Sequence, residues 1–299
     1  MTKVSLPRRR PQRLVQPQPV PEYLADEDLR ERYELTKECF EVPWMGVVAM
    51  AFAHYRPFYD CLWEGVGINT LNKRWPKACS ALRRQAETAA ANMTPPDLTA
   101  DLAALGYAPQ ELAQIRESLE IFSHGNYPYL LMASLARLLL TGQEMTGEPL
   151  AQGELRPLRR SAPQAALVLM EAHHADAPTR ALYERVKTKL DLPFVNTDYR
   201  ALARWPSYFH AAWEALEPQL HTPAHEAACL ALHQAAVSAA AELAPQPSLS
   251  SEALIAAAER SAPPGEVLAV VELFQWLLPE LCVNVALLRA QLDKPANAS

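Results

Sequence analysis

The chain has 299 residues, of which 49% are hydrophobic and 21% charged, and its formal net charge is −6 at pH 7. Nine glycines and the lack of a glycine-rich phosphate-binding motif exclude a P-loop enzyme and a conventional dinucleotide-binding domain. The negative balance gives no global basic field to attract nucleic acid, and no apolar run reaches the roughly 18 residues of a membrane span.

The composition predicts an all-α protein. Alanine and leucine are abundant, whereas only four isoleucines occur, a bias toward helix formers over β-branched residues. No segment has the sustained alternation of a half-buried strand. The five cysteines are scattered and form no C-x-x-C pair, which predicts reduced thiols and a cytoplasmic location.

Residues 1–20 are rich in proline, glutamine and arginine and predict a flexible extended tail, whose basic cluster could also serve a partner or nucleic acid. Prolines then recur at intervals that suit short helices from residue 21 to residue 141. We expect one helix to end near Phe122 and a buried helix to run from Tyr129 to Leu140. Residues 142–164, with three glycines and three prolines, predict a linker, and 165–299 read as helical again.

The two helical segments resemble each other. A shift of 150 positions aligns residues 30–66 with 180–216 without a gap and gives nine identities in 37 positions, against roughly two or three expected by chance. A weaker match at a shift of 152 pairs Glu120 with Glu272 and Arg137 with Arg289. The sequence thus predicts two tandem helical repeats, 21–141 and 165–299, that form an intramolecular pseudo-dimer.

Asp198 is the most informative difference between the repeats, because its counterpart is Val48. A carboxylate in an apolar context is costly when buried without a partner, so it suggests a site at the junction of the repeats. The alternative is that residues 196–198 only cap the following helix.

The segment from Ser123 to Asn126 is a second difference, since the matching residues are Gln275 to Leu278. An imidazole and an amide at the start of a buried helix suit the binding of water or a ligand. A helix C-cap, with Gly125 at positive φ, explains the same pattern.

Four residues, His221, His225, Cys229 and His233, recur every fourth position, and neighbouring pairs could ligate zinc. The stripe rotates by about 40° per step around a helix, and no further ligand completes a site. We therefore predict no metal and no cofactor, and a metal-dependent helical protein is the least favoured alternative.

Three short motifs resemble the group I 2-haloacid dehalogenases, helical enzymes that act on both D- and L-2-haloalkanoic acids. In chain order they are VPW at 42–44, FSHGN at 122–126 with YLL at 129–131, and TDY at 197–199 with ALARWP at 201–206. The order and the position of the linker also match. The resemblance covers most of the chain after the tail.

The resemblance implies hydrolysis of the carbon–halogen bond by direct attack of water, with inversion and without an ester intermediate. Asp198 matches the family's catalytic base, and Asn126 matches the amide that holds the water. The predicted substrate-binding positions are Trp44, Val47, Thr197, Tyr199 and His124. Val47 replaces a phenylalanine common in the family, and His124 replaces what is more often an aromatic residue, so the substrate is expected to differ.

The predicted partners are a small haloacid substrate, water and a second copy of the chain in a homodimer, with no nucleic acid and no membrane. The alternative from another class is a ligand-binding or scaffold protein that keeps the duplicated helices without turnover. An Asp198 fully tied up by an arginine or by helix amides would favour that alternative.

Overall fold

The computed structural model of the chain describes residues 6–150, 155, 167–263 and 265–292. Within these ranges the chain is all-α, and its one β feature is an isolated bridge between Gln246 and Leu249. The helices are α1 (Glu27–Phe40), α2 (Val47–Ala53), α3 (Arg56–Thr70), α4 (Arg74–Asn92), α5 (Thr99–Ala104), α6 (Pro109–Leu140), α7 (Ala177–Leu190), α8 (Thr197–Leu202), α9 (Pro206–Leu216), α10 (Pro223–Ala241), α11 (Ser251–Ser261) and α12 (Glu266–Ala290). None of the described helices is both long and apolar enough to cross a membrane.

Prolines set several helix starts, as the sequence predicts, and capping side chains set others. Proline lies in the first turn of α3, α7 and α9 and is the first residue of α6 and α10. It is tolerated there because first-turn N–H groups have no intrahelical acceptor. Asp26 and Asp176 cap α1 and α7 by accepting the backbone N–H of the residue three positions later.

Local structure recurs at the 150-residue spacing. The helix pair α1 and α7 begins and ends at matching positions, and the residue after each, Glu41 or Asp191, has φ of 55° or 53°. The Tyr33 hydroxyl donates to the Val20 carbonyl at 2.9 Å, and the Tyr183 hydroxyl donates to the Met170 carbonyl at 2.7 Å. These recurrences agree with the predicted duplication.

The expected break between Phe122 and Tyr129 is wrong. Helix α6 continues through this segment to Leu140, with Pro128 in its interior, and Gly125 is not among the glycines with positive φ. An interior proline costs about 3 kcal/mol. The apolar side chains from Leu130 onward are almost all inaccessible, so their burial outweighs that cost.

The chain forms two compact units, and each takes segments from both predicted repeats. Unit 1 consists of Met1–Leu82, Gly125–Ala165 and Leu230–Pro279, and unit 2 of Arg83–His124, Ala166–Cys229 and Glu280–Ser299. The repeat boundaries therefore do not coincide with the compact units. The boundaries of the two repeats and of the linker remain predictions from the sequence.

Unit 1 includes the described part of the predicted tail, residues 6–20, which has no helix. The His233 Nε2 atom lies 2.8 Å from the Leu6 carbonyl oxygen, and Arg8 Nε donates to the Trp276 carbonyl at 3.1 Å. Of the predicted linker, residues 151–154 and 156–164 lie outside the described residues. Thr146 N–H in its first part donates to the Ala241 carbonyl at 2.7 Å.

Candidate functional site

The predicted site residues fall in both units, so each group is described within its own unit. Trp44, Val47 and Asn126 belong to unit 1, and His124, Thr197, Asp198 and Tyr199 belong to unit 2. All of them are buried except Val47, which is half-buried, and His124, which is exposed. Exposure distinguishes His124 from the other predicted substrate-binding residues.

In unit 1 the Tyr129 hydroxyl fixes the loop that carries Trp44. It accepts the Gly46 N–H at 2.7 Å and donates to the Trp44 carbonyl at 3.3 Å. A Cβ atom at Gly46 would lie 2.5 Å from Tyr129 Cζ, so only glycine leaves room for the ring. This loop leads directly into α2, where Val47 is the first residue and Val48 is buried.

Helix α6 passes close to the same loop. A Cβ atom at Gly125 would lie 2.3 Å from Trp44 Cη2 and 2.8 Å from Val42 Cγ1, so the indole packs directly on the helix backbone. Asn126 follows Gly125 and is 5% exposed. The structure therefore brings Trp44 to the turn of α6 that carries Asn126.

A separate cavity of about 130 Å³ in unit 1, lined by the ends of α6, α11 and α12, contains none of the predicted site residues.

In unit 2 the predicted carboxylate lies in the first turn of α8. Asp198 is 3% exposed and is the second residue of the helix, so it is not the N-cap. Its sequence counterpart Val48 is 5% exposed at the same position of α2. The partial positive charge of a helix N-terminus favours an anion in this turn. Asp198 is thus a carboxylate held where the other repeat buries a valine.

The residue before the predicted motif was considered in the sequence only as part of a helix cap, and its possible binding role was missed. Asn196 is the N-cap of α8 and is 7% exposed, yet its side chain makes no capping hydrogen bond. Its buried Oδ1 atom has no hydrogen-bond partner among the residues that the structure describes. Buried amides almost always have partners, so this carboxamide is expected to bind water or a ligand. The sequence could have indicated this role, because the counterpart of Asn196 in the first repeat is Gly46, which has no side chain.

The Thr197 side chain is hydrogen-bonded by a residue of its own helix, α8. Arg200 Nη2 donates to Thr197 Oγ1 at 3.4 Å, while Arg200 Nη1 forms an ion pair with Glu171 at 2.5 Å. The threonine hydroxyl, predicted to help bind substrate, therefore already accepts one hydrogen bond. Its proton can still be donated.

A buried polar network lies on the other side of α8. Asn284 Nδ2 donates to the Tyr199 hydroxyl at 3.1 Å, and His225 Nε2 lies 2.9 Å from Asn284 Oδ1. Tyr199 and Asn284 are fully inaccessible, as is His225. Burial, followed by the charges of Asp198 and Glu280, raises the pKa of Tyr199 and keeps its hydroxyl protonated.

The histidine and cysteine stripe has no metal-binding arrangement. Within the described ranges no group of three or more histidine, cysteine, aspartate or glutamate side chains could hold a metal ion. His221 has a half-exposed side chain 3.4 Å from Glu280 Oε1, whereas His225 and Cys229 are buried. His225 Nδ1 accepts the His221 backbone N–H at 3.3 Å, so neither ring nitrogen is directed at a metal.

Comparison with known proteins assigns the family. No family model matches the chain. An (R)-2-haloacid dehalogenase of Rhizobium sp. (strain NHG3) is 43% identical over 242 residues, 78% of this chain and 91% of that protein. An (R)-2-haloacid dehalogenase of Pseudomonas putida is 35% identical over 282 residues, 92% of this chain and 93% of that protein.

More distant relatives and a solved structure agree. A configuration-inverting 2-haloacid dehalogenase of Alcaligenes xylosoxydans xylosoxydans is 25% identical over 67% of this chain and 68% of that protein. The solved complex of a D-2-haloacid dehalogenase mutant with D-2-CPA has a TM-score of 0.85 and 31% identity, covering 96% of this chain and 99% of that one. These relatives give no support to a non-catalytic scaffold. The chain belongs to the family of the 2-haloacid dehalogenases.

Proposed function

We propose that this protein hydrolyses 2-haloacids to 2-hydroxy acids, with Asp198 as the general base that activates the attacking water. The observation that carries the proposal is the Asp198 carboxylate, 3% exposed in the first turn of α8, where the other repeat buries Val48. Membership of the 2-haloacid dehalogenase family supplies the reaction class.

The step balances without a cofactor. The water oxygen forms a bond to C2 from the side opposite the halogen, and the carbon–halogen bond breaks with its electron pair leaving on the halide. One water proton passes to the Asp198 carboxylate, which later releases it to solvent. Water is a poor nucleophile, so a positioned base supplies proton transfer in the transition state. Backside attack inverts the configuration at C2.

We further propose that Asn126 holds the attacking water through its side-chain amide, as the family resemblance implies. Its 5% exposure is compatible with a single bound water rather than bulk solvent. Trp44, packed on Gly125 one residue earlier, would then form an apolar wall for the substrate. Val47 and Thr197 remain proposed substrate-binding positions. His124 is a weaker candidate because it is exposed. Tyr199 is weaker too, because its side chain is inaccessible and its hydroxyl is hydrogen-bonded to Asn284, so we expect it to act beside the base without touching the substrate.

The preferred substrate is proposed to be the (R)-enantiomer. The relatives that are 43% and 35% identical are (R)-2-haloacid dehalogenases, and a further relative is configuration-inverting. Inversion of an (R)-2-chloro acid gives an (S)-2-hydroxy acid. The family that the motifs resemble acts on both enantiomers, so this proposal is narrower than the resemblance.

The test is halide release from separate (R)- and (S)-2-chloropropionate, with chiral analysis of the lactate formed. We expect release from the (R)-acid and loss of about 10³-fold or more in Asp198→Asn, because general-base assistance and positioning are removed together. Asp191→Asn, at the exposed left-handed end of α7, is the matched control and should keep full activity. Undiminished halide release in Asp198→Asn would contradict the role of the base.

Direct attack by water is tested by a single turnover in ¹⁸O-labelled water with enzyme in excess. Attack by water places the label in the first molecule of hydroxy acid formed. An ester on an aspartate would instead deliver unlabelled oxygen from the protein in that turnover. Unlabelled first product would overturn the proposed mechanism while leaving the reaction class intact.

We also propose that the chain forms a homodimer, is cytoplasmic and folds as an intramolecular pseudo-dimer. The family resemblance supports these three proposals. The recurrence of caps and hydroxyl contacts at the 150-residue spacing supports the duplication in particular. Sedimentation of the purified full chain tests the dimer, for which a mass near twice 33.2 kDa is expected. A monomeric mass over the working concentration range would contradict it.

A further inference from the structure

The three residues of the polar network in unit 2 come from three helices. Tyr199 lies in α8, His225 in α10 and Asn284 in α12, and the hydrogen-bonded pairs are 59 and 85 residues apart in sequence. All three residues are fully buried. Buried polar side chains are costly unless every member is paired, so such a network needs a role or a complete set of partners.

The hydrogen bonds run in one direction. His221 has a left-handed backbone, with φ of 63°, and donates its backbone N–H to His225 Nδ1 at 3.3 Å. Because Nδ1 is an acceptor, the ring proton lies on Nε2, which donates to Asn284 Oδ1. The amide then donates through Nδ2 to the Tyr199 hydroxyl. The strained residue therefore fixes the tautomer at the start of the chain of hydrogen bonds.

The network is absent from the corresponding places of the first repeat. The counterpart of Tyr199 is Ala49 at the 150-residue shift, and the counterpart of Asn284 is Met132 at the shift of 152. Both counterparts are fully buried. The fold thus packs this region with apolar side chains in one repeat and with a polar network in the repeat that carries Asp198.

Helix α8 depends on Tyr199 for its orientation. It has only six residues, and its N-cap side chain makes no capping hydrogen bond. The Tyr199 ring is stacked near Phe209 at 6.3 Å and meets Trp213 edge-on at 5.8 Å, while Asn284 fixes the hydroxyl. Asp198 is the preceding residue, about 100° away around the helix, so a rotation of α8 that moved Tyr199 would move the carboxylate too.

We propose that Asn284 and His225 are positioning residues for dehalogenation, which hold Tyr199 and thereby aim the Asp198 carboxylate. This rests on the proposed role of Asp198 as the base. Neither residue is expected to touch the substrate. A misplacement of about 1 Å can reduce the rate of an enzymatic step by about 100-fold, so loss of the network should reduce kcat far more than it changes KM.

The test uses Tyr199→Phe, Asn284→Leu and the double variant, all assayed as folded full-length protein with (R)-2-chloropropionate. We expect kcat to fall about 10- to 100-fold in each single variant, with KM within about threefold of the wild-type value. The double variant should lose little more than the worse single variant, because residues that act as a unit are not additive. Additive losses, or a change confined to KM, would overturn the proposal.

Asn69→Leu is the matched control for a purely structural effect. Asn69 is a buried asparagine of α3 in unit 1 that donates to the Gly65 and Ala244 carbonyls at 3.0 and 3.1 Å. This variant should lose stability and keep kcat per folded molecule. A kcat loss in Asn69→Leu equal to that in Asn284→Leu would assign both effects to general loosening of the fold and contradict a positioning role.

A second measurement does not depend on activity. Nitrogen-15 NMR of the histidine rings should find the His225 ring proton on Nε2, and Asn284→Leu should accelerate exchange of that proton. If wild-type protein releases no halide but the tautomer is as expected, the proposed function fails while the network stands. If halide is released and His225 carries its proton on Nδ1, the positioning proposal fails alone.

Discussion

The Trp44 indole packs directly on the backbone of Gly125, so closely that a Cβ atom at position 125 would lie 2.3 Å from Trp44 Cη2. Gly125 is helical and has no need of positive φ, so its role is close approach rather than backbone freedom. The next residue in α6 is Asn126, the proposed water-binding amide. The contact thus couples the position of an apolar wall to the turn that carries this amide.

Replacing Gly125 with alanine should therefore destabilise the protein even though alanine favours helices. The ring and the α6 backbone must move apart, and overpacking of this kind costs about 1–3 kcal/mol of the free energy of unfolding. Denaturation in urea and the near-ultraviolet circular dichroism of the tryptophans measure the two effects.

Gly67→Ala is the matched control for that variant. Gly67 is also helical, in α3, and a Cβ atom there would meet nothing closer than Trp63 Cε2 at 3.6 Å, an ordinary contact. Alanine should stabilise this position by up to about 1 kcal/mol. Similar stability changes of the same sign at both glycines would contradict the steric explanation.

Asn196→Gly introduces the residue found at the corresponding position of the first repeat, Gly46. This variant should show the effect of Asn196 on substrate binding with little change in the free energy of unfolding. The Asn196 side chain makes no capping hydrogen bond, its Oδ1 has no partner among the described residues, and asparagine-to-glycine changes at an N-cap cost only a few tenths of a kcal/mol. If the carboxamide binds substrate, KM should rise by about 10-fold, equivalent to one hydrogen bond of about 1.4 kcal/mol. An unchanged KM would assign the buried carboxamide to a bound water instead.

The all-α class and the positions of several helices were predictable because they depend on local features. The proline spacing and the 150-residue shift relate α1 to α7, and the same shift singled out Asp198, whose counterpart Val48 is buried as Asp198 is. Helix α6 was mispredicted because Gly125 and Pro128 are helix breakers by local rules. Tertiary burial of the residues that follow overrides that preference.

The network around Tyr199 was not predicted, because its partners are distant in sequence. His225 and Asn284 have no motif that relates them to α8, and an isolated polar residue in an apolar helix has several explanations. The useful signal was nevertheless present. The comparison that singled out Asp198 against Val48 also distinguishes Asn284 from Met132 when it is applied to the C-terminal helix.

His233 predicts a pH dependence of stability. Burial lowers its pKa from the ordinary 6.5, and in unit 1 its ring contacts the Leu6 carbonyl and the Gln275 amide. The unfolded chain therefore takes up a proton at higher pH than the folded protein. The free energy of unfolding should be greatest above about pH 6.5 and fall as the pH drops below it.

Denaturation at pH 7.5 and 5.5 measures this effect, and His233→Gln should reduce the difference between the two values. His173→Gln changes an exposed histidine and should keep the wild-type difference. If both variants retain the full pH dependence, the effect comes from other groups and the assignment to His233 is wrong.

Arg137 and Arg289 predict unequal contributions to stability, although they are counterparts at the shift of 152. In unit 1 Arg137 pairs with Glu272 at 2.7 Å, and in unit 2 Arg289 pairs with Glu120 at 2.8 Å. Glu120 and Glu272 are themselves counterparts, so each unit contains the same ion pair with arginine and glutamate from opposite repeats. Among the described residues, Arg289 but not Arg137 also pairs with a second glutamate, Glu87, and donates to Ser123 Oγ at 3.1 Å.

An isolated, partly exposed ion pair contributes about 0.2–1 kcal/mol, whereas removal from a network leaves several partners unsatisfied. Arg137→Met should therefore reduce the free energy of unfolding by less than about 1 kcal/mol, and Arg289→Met by about twice as much or more. Methionine keeps most of the aliphatic packing in both variants, so the difference between them in free energy of unfolding reports on the polar contacts.

Urea denaturation at low and high salt measures this difference. The effect of Arg289→Met should persist better at high salt, because partly buried charges are less screened. Equal losses in the two variants would mean that Glu87 and Ser123 add nothing to the pair that the repeats share.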